Sequence, residues 1–168
     1  YALEGAGAVF DISADGRVLA TAQGGGIGIY SATSGAWQRG LPGNGGEVRA
    51  IRLNRDGSRL VSLGDDGAVR SWDVATGKEL VPLERPLMAP QIVDISADGT
   101  RILAAPLDGG IYLWDPAAGR RVMYVLGHSG VPWDVAFCGP EDRFVVGSGR
   151  AVRLWDAGAR TEMVTITI

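Results

Sequence analysis

Residues 65–73 read DDGAVRSWD, and this stretch decides the fold. Asp and Gly tolerate the positive backbone φ that a tight hairpin requires, so the first three residues predict a turn. The next five residues alternate in character and end on an aromatic, which is typical of a half-buried β-strand. The stretch therefore predicts a β-hairpin whose second strand ends at Trp72.

The aromatic residue at the end of this strand recurs along the chain. Equivalent aromatics follow one another after 42, 42 and 41 residues, at Tyr30, Trp72, Trp114 and Trp155. Asp-Gly turns upstream keep the same period, at 15–16, 56–57 and 98–99. A glycine follows the aromatic after five residues at Gly35, Gly77 and Gly119. Three independent markers with one period indicate an internal structural repeat.

Each period is predicted to form four short strands. In the second period, strands at 48–53, 59–63 and 68–72 are separated by turns, and a fourth strand begins at Glu79. No segment of ten or more residues shows helical periodicity, so we expect an all-β chain. A four-stranded unit of this size buries both faces only when neighbouring units stack on it, as in repeat architectures.

Composition and charge narrow the function classes. Hydrophobic residues make up 46% of the 168 residues and charged residues 21%, which is normal for a globular chain. A net charge of −3 with interspersed signs argues against a nucleic-acid partner. No apolar run approaches the roughly 20 residues that cross a bilayer, so we expect no membrane partner. Cys138 is the only cysteine, and no signal peptide is recognisable, so we expect a cytoplasmic protein.

The basic residues carry one further signal. Lys78 is the only lysine among 16 basic residues, which indicates a GC-rich coding bias and predicts a bacterial source.

The repeat resembles the WD40 family. Trp-Asp pairs at 72–73, 114–115 and 155–156 carry the resemblance, together with the Gly-His pair at 127–128. The resemblance covers essentially the whole chain and implies a β-propeller of four four-stranded antiparallel blades, at 6–41, 46–83, 89–126 and 130–168. Family propellers usually close with six to eight blades. We therefore expect a partial propeller from a longer protein, with residues 1–5 the remnant outer strand of a preceding blade.

Many blades of this family tie a loop to the inner strands through a hydrogen-bonded set of His, Ser or Thr, Asp and Trp. The second repeat comes closest, with Asn44 at the His position, then Ser62, Asp66 and Trp72. The other repeats keep fewer members, namely Asp108 and Trp114 in the third, His128 and Trp155 in the fourth, and Tyr30 in the first. We therefore expect blades held mainly by packing.

The resemblance also implies that partners dock on the wider face of the propeller. The positions there are Trp133, Val131, Arg49, Glu47, Gln91, Asp65 and Leu107. Trp and Arg are enriched among residues that dominate binding energy. Two alternatives stay open, which are partial burial of Trp133 against a following blade and simple solvation of Arg49.

Catalytic and metal-binding patterns are not recognisable. His128 is the only histidine, and with Cys138 it makes no four-ligand zinc site. The glycine run at 24–28 lies in a predicted hairpin rather than before a helix, so it is no phosphate loop. The paired acids Asp65 and Asp66 lie in a turn. We therefore expect no cofactor, no metal and no enzymatic activity.

The preferred function is a non-catalytic protein–protein interaction scaffold, the WD40 module of a larger regulatory or signalling protein. Its partner would be a protein or peptide. One alternative is a half-propeller that self-associates through exposed end blades into a closed ring. Another is an enzyme with an active site in the central channel.

Overall fold

The computed structural model describes residues 9–86, 89–125, 130–139 and 143–168. The described residues form sixteen strands in four antiparallel sheets of four, and no helix occurs among them. The all-β fold of four four-stranded blades is thus confirmed. Residues 1–5, predicted as a remnant strand, and His128 lie outside the described residues.

Each sheet is a meander, because neighbouring strands in the sheet are also neighbours along the chain. We refer to the four sheets as the first to fourth blades. The first two contain β1 Val9–Ile12, β2 Val18–Gln23, β3 Gly26–Ser31, β4 Trp37–Leu41, β5 Val48–Leu53, β6 Arg59–Gly64, β7 Val69–Asp73 and β8 Lys78–Glu79. The last two contain β9 Pro90–Ile95, β10 Ile102–Pro106, β11 Ile111–Asp115, β12 Arg120–Val125, β13 Pro132–Phe137, β14 Arg143–Ser148, β15 Ala151–Asp156 and β16 Thr161–Thr167.

The Asp-Gly turns between first and second strands are built by their own side chains. In the second blade, the Ser58 hydroxyl and backbone amide donate to Asp56 Oδ1 at 2.7 and 3.0 Å. These two hydrogen bonds hold the pKa of Asp56 below its usual value. Asn54 Oδ1 accepts from the Arg59 amide at 2.9 Å and closes the turn. Asp15 and Asp98 form equivalent turns, so the sequence repeat is also a repeat of local hydrogen bonds.

The core lies between the blades rather than inside any one of them. Between the first two blades, Ile29 packs with Ile51, Leu60 and Trp72, all 2% exposed or less. Similar apolar clusters fill the next two junctions. Burying one such side chain contributes roughly 1.5–3 kcal/mol, so stacking is the main source of stability.

The first strands of neighbouring blades contact one another along the inner side of the arc. Two aspartates join them across blade junctions. Asp11 Oδ2 accepts from the Leu53 amide at 2.7 Å, and Asp94 Oδ2 accepts from the Phe137 amide at 2.8 Å. Each bond links one blade to the next and fixes how the first strands of the two blades are aligned along their length.

Candidate functional site

One face of the arc gathers the starts of the first strands and the hairpins between second and third strands. Antiparallel pairing brings them together, since Val48 lies opposite Gly64 and Pro132 opposite Ser148. We call this the hairpin face. The seven predicted binding residues all lie on it and are all exposed, namely Glu47, Arg49, Asp65, Gln91, Leu107, Val131 and Trp133.

A β-bulge recurs at the start of the first strands. In the second blade, Val48 pairs with Gly64 and Ala50 with Leu63, so one residue between them has no partner opposite. The third and fourth blades show the same shift. The extra residues are Arg49, Gln91 and Trp133, 42 residues apart. Bulges redirect side chains and are common beside functional sites, so these three residues form the centre of the candidate site.

The Trp133 side chain is 53% exposed, although it rests on the sheet of its own blade. Its ring lies over Gly147 of β14, where a Cβ atom would overlap the ring. Two further apolar side chains of the hairpin face, Val131 and Leu107, are 49% and 53% exposed. Gly147 thus sets the position of the largest exposed side chain on this face.

The backbone beneath the hairpin face is fixed by hydrogen bonds between its loops. The Asp65 amide donates to the Glu47 carbonyl at 2.9 Å within the second blade. The Val48 amide donates to the Gly24 carbonyl at 3.0 Å, which joins this blade to the hairpin of the first. A rigid backbone lowers the conformational entropy lost when a partner binds.

A buried polar relay supports the second blade below this face. Trp72 Nε1 donates to Ser62 Oγ at 2.8 Å, and Ser62 Oγ donates to Asn44 Oδ1 at 2.7 Å. Asn44 Nδ2 then donates to the Ala68 carbonyl at 3.0 Å. Asn44, Ser62 and Trp72 were predicted to belong together, and each is at most 4% exposed.

The predicted fourth member of this set, Asp66, does not join the relay. Its carboxylate accepts from the Ala68 amide at 2.9 Å and from Arg70 Nη2 and Arg85 Nη2 at 3.2 and 3.3 Å. An asparagine at the usual histidine position explains the difference, because Asn44 uses its amide donor on a main-chain carbonyl. Asp66 is therefore free to bind the two arginines.

The third blade anchors its tryptophan in another way. Trp114 Nε1 donates to the main-chain carbonyl of Glu84 at 3.0 Å, because Ala104 offers no hydroxyl at the position of Ser62. Its ring stacks on Tyr112 with 5.4 Å between centroids. Asp108 accepts from the Gly110 amide at 2.8 Å and shapes the hairpin. Side-chain patterns could not reveal the Glu84 contact, since a main-chain carbonyl has no sequence signature.

The repeat, the four blades and the tryptophan anchors agree with one known family. The model of the WD domain, G-beta repeat, matches residues 35–73 and 120–156. The chain contains WD40 repeats. The matches include the Trp-Asp pairs of the second and fourth repeats and leave the first and third repeats largely outside.

Curated relatives resemble only part of this WD40 chain. Mouse cilia- and flagella-associated protein 57 is 41% identical over 63 residues, 38% of this chain and 5% of the relative. Ribosome biogenesis protein ERB1 of Yarrowia lipolytica is 50% identical over 38 residues, 23% of this chain and 5% of the relative. Small ribosomal subunit protein RACK1z of rice is 46% identical over 44 residues, 26% of this chain and 13% of the relative.

The first and fourth WD40 blades keep the aromatic but surround it differently. Tyr30 is half-buried and lies against Gly28 of its own strand. Trp155 stacks on Phe144 with centroids 6.4 Å apart and ring planes 8° from parallel. His128, the predicted partner of Trp155, is not among the described residues. In both blades the aromatic contributes by packing.

The described residues of the WD40 chain contain few groups suited to catalysis or metal binding. Within residues 9–86, 89–125, 130–139 and 143–168, no three His, Cys, Asp or Glu side chains are grouped to hold a metal ion. In the same part of the chain, no helix has the length and apolar character to cross a membrane. Burial raises the pKa of the Cys138 thiol, which lowers its reactivity as a nucleophile.

Proposed function

We propose that this WD40 chain is a non-catalytic scaffold that binds a protein or peptide partner on the hairpin face. The observation that carries the proposal is the bulge repeated in three blades, which turns Arg49, Gln91 and Trp133 out of the ladder at one period. A feature maintained by three divergent blades at the same place favours a shared use of that place.

The chemistry of the three bulged residues suits a peptide. Trp133 offers a large, exposed apolar surface, and Arg49 offers a fork of donors for carboxylate or carbonyl groups. The Gln91 amide can both donate to and accept from a main chain. Glu47 and Asp65 add negative charge on the same face, which would favour a partner carrying both signs.

The names of the relatives agree with a role in assemblies. They mention cilia and flagella, ribosome biogenesis and a small ribosomal subunit. This chain spans 5–13% of those relatives, so their assemblies suggest only the general class of function. On the same general ground, we propose that the chain is part of a regulatory or signalling protein. We also propose that this protein is cytoplasmic.

A peptide-display selection on the full chain tests the proposal. Peptides that bind the chain should lose at least about tenfold in affinity with Trp133→Ala or Arg49→Ala, as expected for residues at the centre of an interface. Matched controls are Trp37→Ala, which removes a tryptophan that is 65% exposed on an outer strand, and Arg55→Ala on the opposite face. Equal losses in the controls would refute the hairpin face as the binding site.

Gly147→Ala provides a subtler test of the same face. The added methyl group would displace the Trp133 ring without removing it, so selected peptides should bind more weakly while the fold persists. Unchanged affinity would show that the ring position is irrelevant to binding.

Self-association through the end blades is a second candidate. Phe10 and Ile12 of the first blade are 66% and 52% exposed. Their equivalents in the second blade, Ile51 and Leu53, are buried against the preceding blade. Solution mass measured over a concentration series tests this candidate: a dimer near twice 17.6 kDa supports it, and a monomer at all concentrations contradicts it.

A further inference from the structure

The outer strand of the second blade is much shorter than its counterparts. β8 has two residues, whereas β4, β12 and β16 have five, six and seven. The Leu80 amide makes one more bond to the blade, donating to the Ser71 carbonyl at 2.8 Å. The chain then leaves the sheet through residues 81–86, which we call the strap.

The strap is bound by the third blade instead. The Glu84 amide donates to the Gly119 carbonyl at 3.1 Å, and the Glu84 carbonyl accepts from Trp114 Nε1 at 3.0 Å. The Glu84 carboxylate lies 3.6 Å from Arg121 Nη2. Leu83 packs against the apolar cluster between the two blades. The strap therefore stands beside β7 without pairing with it.

One end of β7 is left with an open outer edge. Alternate residues of a strand direct their backbone groups to the same side. Because Ser71 accepts from Leu80, Val69 also directs its N–H and C=O outwards. In the other blades the equivalent residue pairs with the outer strand, as Ile27 with Leu41, Ile111 with Val125 and Val152 with Ile166. No described residue pairs with the outer side of Val69.

A groove of about 230 Å³ occupies the place of the lost strand pairing. Ala68, Val69 and Arg70 form one wall, and residues 82–86 of the strap form the other. Val69 is only 5% exposed, so the groove is narrow where it meets the strand edge. An extended chain fits such a shape better than a helix, whose diameter is roughly 10 Å.

The groove also contains an arginine with an unused donor. Arg70 Nη2 lies 3.2 Å from Asp66 Oδ2, and Arg70 Nε lies 3.9 Å from Glu79 Oε1. Arg70 Nη1 is enclosed and has no acceptor among the described residues. Asp66 is shared with Arg85, whose Nη2 lies 3.3 Å away. Two arginines thus share one close carboxylate, and a second carboxylate would complete the set.

We propose that this groove receives an extended acidic segment of a partner protein. As the segment enters, the strap moves away from β7; the segment then adds as a short strand to the outer edge of β7 and pairs with Val69, which is 5% exposed in the free chain. One of its carboxylates accepts from Arg70 Nη1. Strand addition of this kind takes affinity from main-chain bonds and specificity from individual side chains. The groove adjoins the 65–67 hairpin, but none of the seven exposed residues predicted to bind a partner on the hairpin face lines it, so it is a second place for a partner.

Two capped pentapeptides test the proposal on the full chain. One has the sequence Thr-Val-Glu-Val-Thr and the other replaces Glu by Gln. In NMR titrations the Glu peptide should bind about tenfold more tightly than the Gln peptide, because a charged acceptor makes the stronger hydrogen bond. The Val69 amide should become protected from hydrogen exchange, while the already paired Ile111 amide should not change. Equal affinities, no binding, or shifts confined to other surfaces would overturn the proposal.

Variants sharpen the test. Arg70→Gln should abolish the preference for the Glu peptide, whereas Arg120→Gln, on the exposed outer strand of the third blade, should keep it. Trp133→Ala should also leave the preference unchanged, which separates this groove from the hairpin face. If Arg70→Gln fails to fold, the comparison of the two peptides on the wild-type chain still decides.

Discussion

The second and third blades provide hydrogen-bond acceptors for their buried tryptophans in two different ways. Each has a buried tryptophan one residue before the end of its third strand. Trp72 and Trp114 are 2% and 0% exposed, so each needs an acceptor for its indole N–H. In the second blade the acceptor is Ser62, inside the blade's own relay. In the third blade the equivalent residue is Ala104, and the acceptor is the Glu84 carbonyl of the strap.

This difference shows that burial fixes the need for a hydrogen bond but not the identity of the partner. The missing hydroxyl at Ala104 is compensated by a main-chain carbonyl from the preceding connection. The compensation keeps residues 81–86 beside the third blade, so the second blade lacks most of its outer strand. A side chain in one blade is thereby linked to the open edge of its neighbour.

Replacing the two tryptophans by alanine should give the largest effects. Both Trp72→Ala and Trp114→Ala are expected to lower the free energy of unfolding by about 3–5 kcal/mol, because each leaves a large cavity. Only Trp114→Ala removes the donor to Glu84, so only this variant should speed hydrogen exchange at the Glu84 amide. Denaturant unfolding and exchange measurements check both. Equal exchange at Glu84 in the two variants would contradict the role assigned to the strap.

Ser62→Ala should have the next largest effect. It leaves the Trp72 N–H and Asn44 Oδ1 without their buried partner, which is expected to cost about 1–3 kcal/mol. Ser71→Ala is the matched control, because the Ser71 hydroxyl is buried without a hydrogen bond among the described residues. That variant should be neutral or slightly stabilising. Equal destabilisation of the two variants by chemical denaturation would argue against the relay.

Ala104→Ser gives the third blade the hydroxyl that Ser62 provides in the second blade. This variant should have a smaller effect and change the free energy of unfolding by no more than about 1 kcal/mol. The new hydroxyl offers Trp114 a local acceptor that competes with the Glu84 carbonyl. The Trp114 Nε1–H resonance should shift, and amides of the strap should exchange faster. An unchanged indole resonance would mean that packing at this position, where Ala104 is 0% exposed, prevents the exchange of partners.

Much of the fold could be predicted from the sequence because its signals are local. The 42-residue period, the Asp-Gly turns and the Trp-Asp pairs each depend on residues within one repeat. The shortened strand β8 was not predicted, since the sequence favoured a fourth strand beginning at Glu79. What ends that strand is a contact between the strap and another blade, and such a contact leaves no local pattern.

For the candidate site, the sequence suggests which positions face a partner but not how the backbone presents them. The family resemblance selects Arg49, Gln91 and Trp133 among other positions, and the structure shows all three exposed. The bulges at these residues are visible only in the register between two strands. The relay shows the same limit, because the residue types suggested Asp66 as a member, whereas its carboxylate binds Arg70 and Arg85.

The second and third blades also differ in charge on their first strands. Arg52 in the second blade lies at the position equivalent to Asp94 in the third. Burial raises the pKa of Asp94, although the Phe137 amide and nearby Arg52 act in the opposite direction. Since the folded-state pKa exceeds the unfolded value of 3.8, the stabilising contribution is complete below that value and is lost as pH rises through the folded-state pKa.

Asp94→Asn should therefore change the pH dependence of stability more than stability itself. The amide oxygen can still accept from the Phe137 amide, while the charge that burial disfavours is gone. Relative to wild type, the variant should gain stability between the unfolded-state pKa and neutral pH, as measured by urea unfolding at several pH values. Arg52→Gln is the control, because removing a nearby positive charge should raise the pKa of Asp94 further. The loss of stability with rising pH should then be larger than in the wild type. Parallel pH profiles for wild type and Asp94→Asn would show that this carboxylate titrates alike in the folded and unfolded chain.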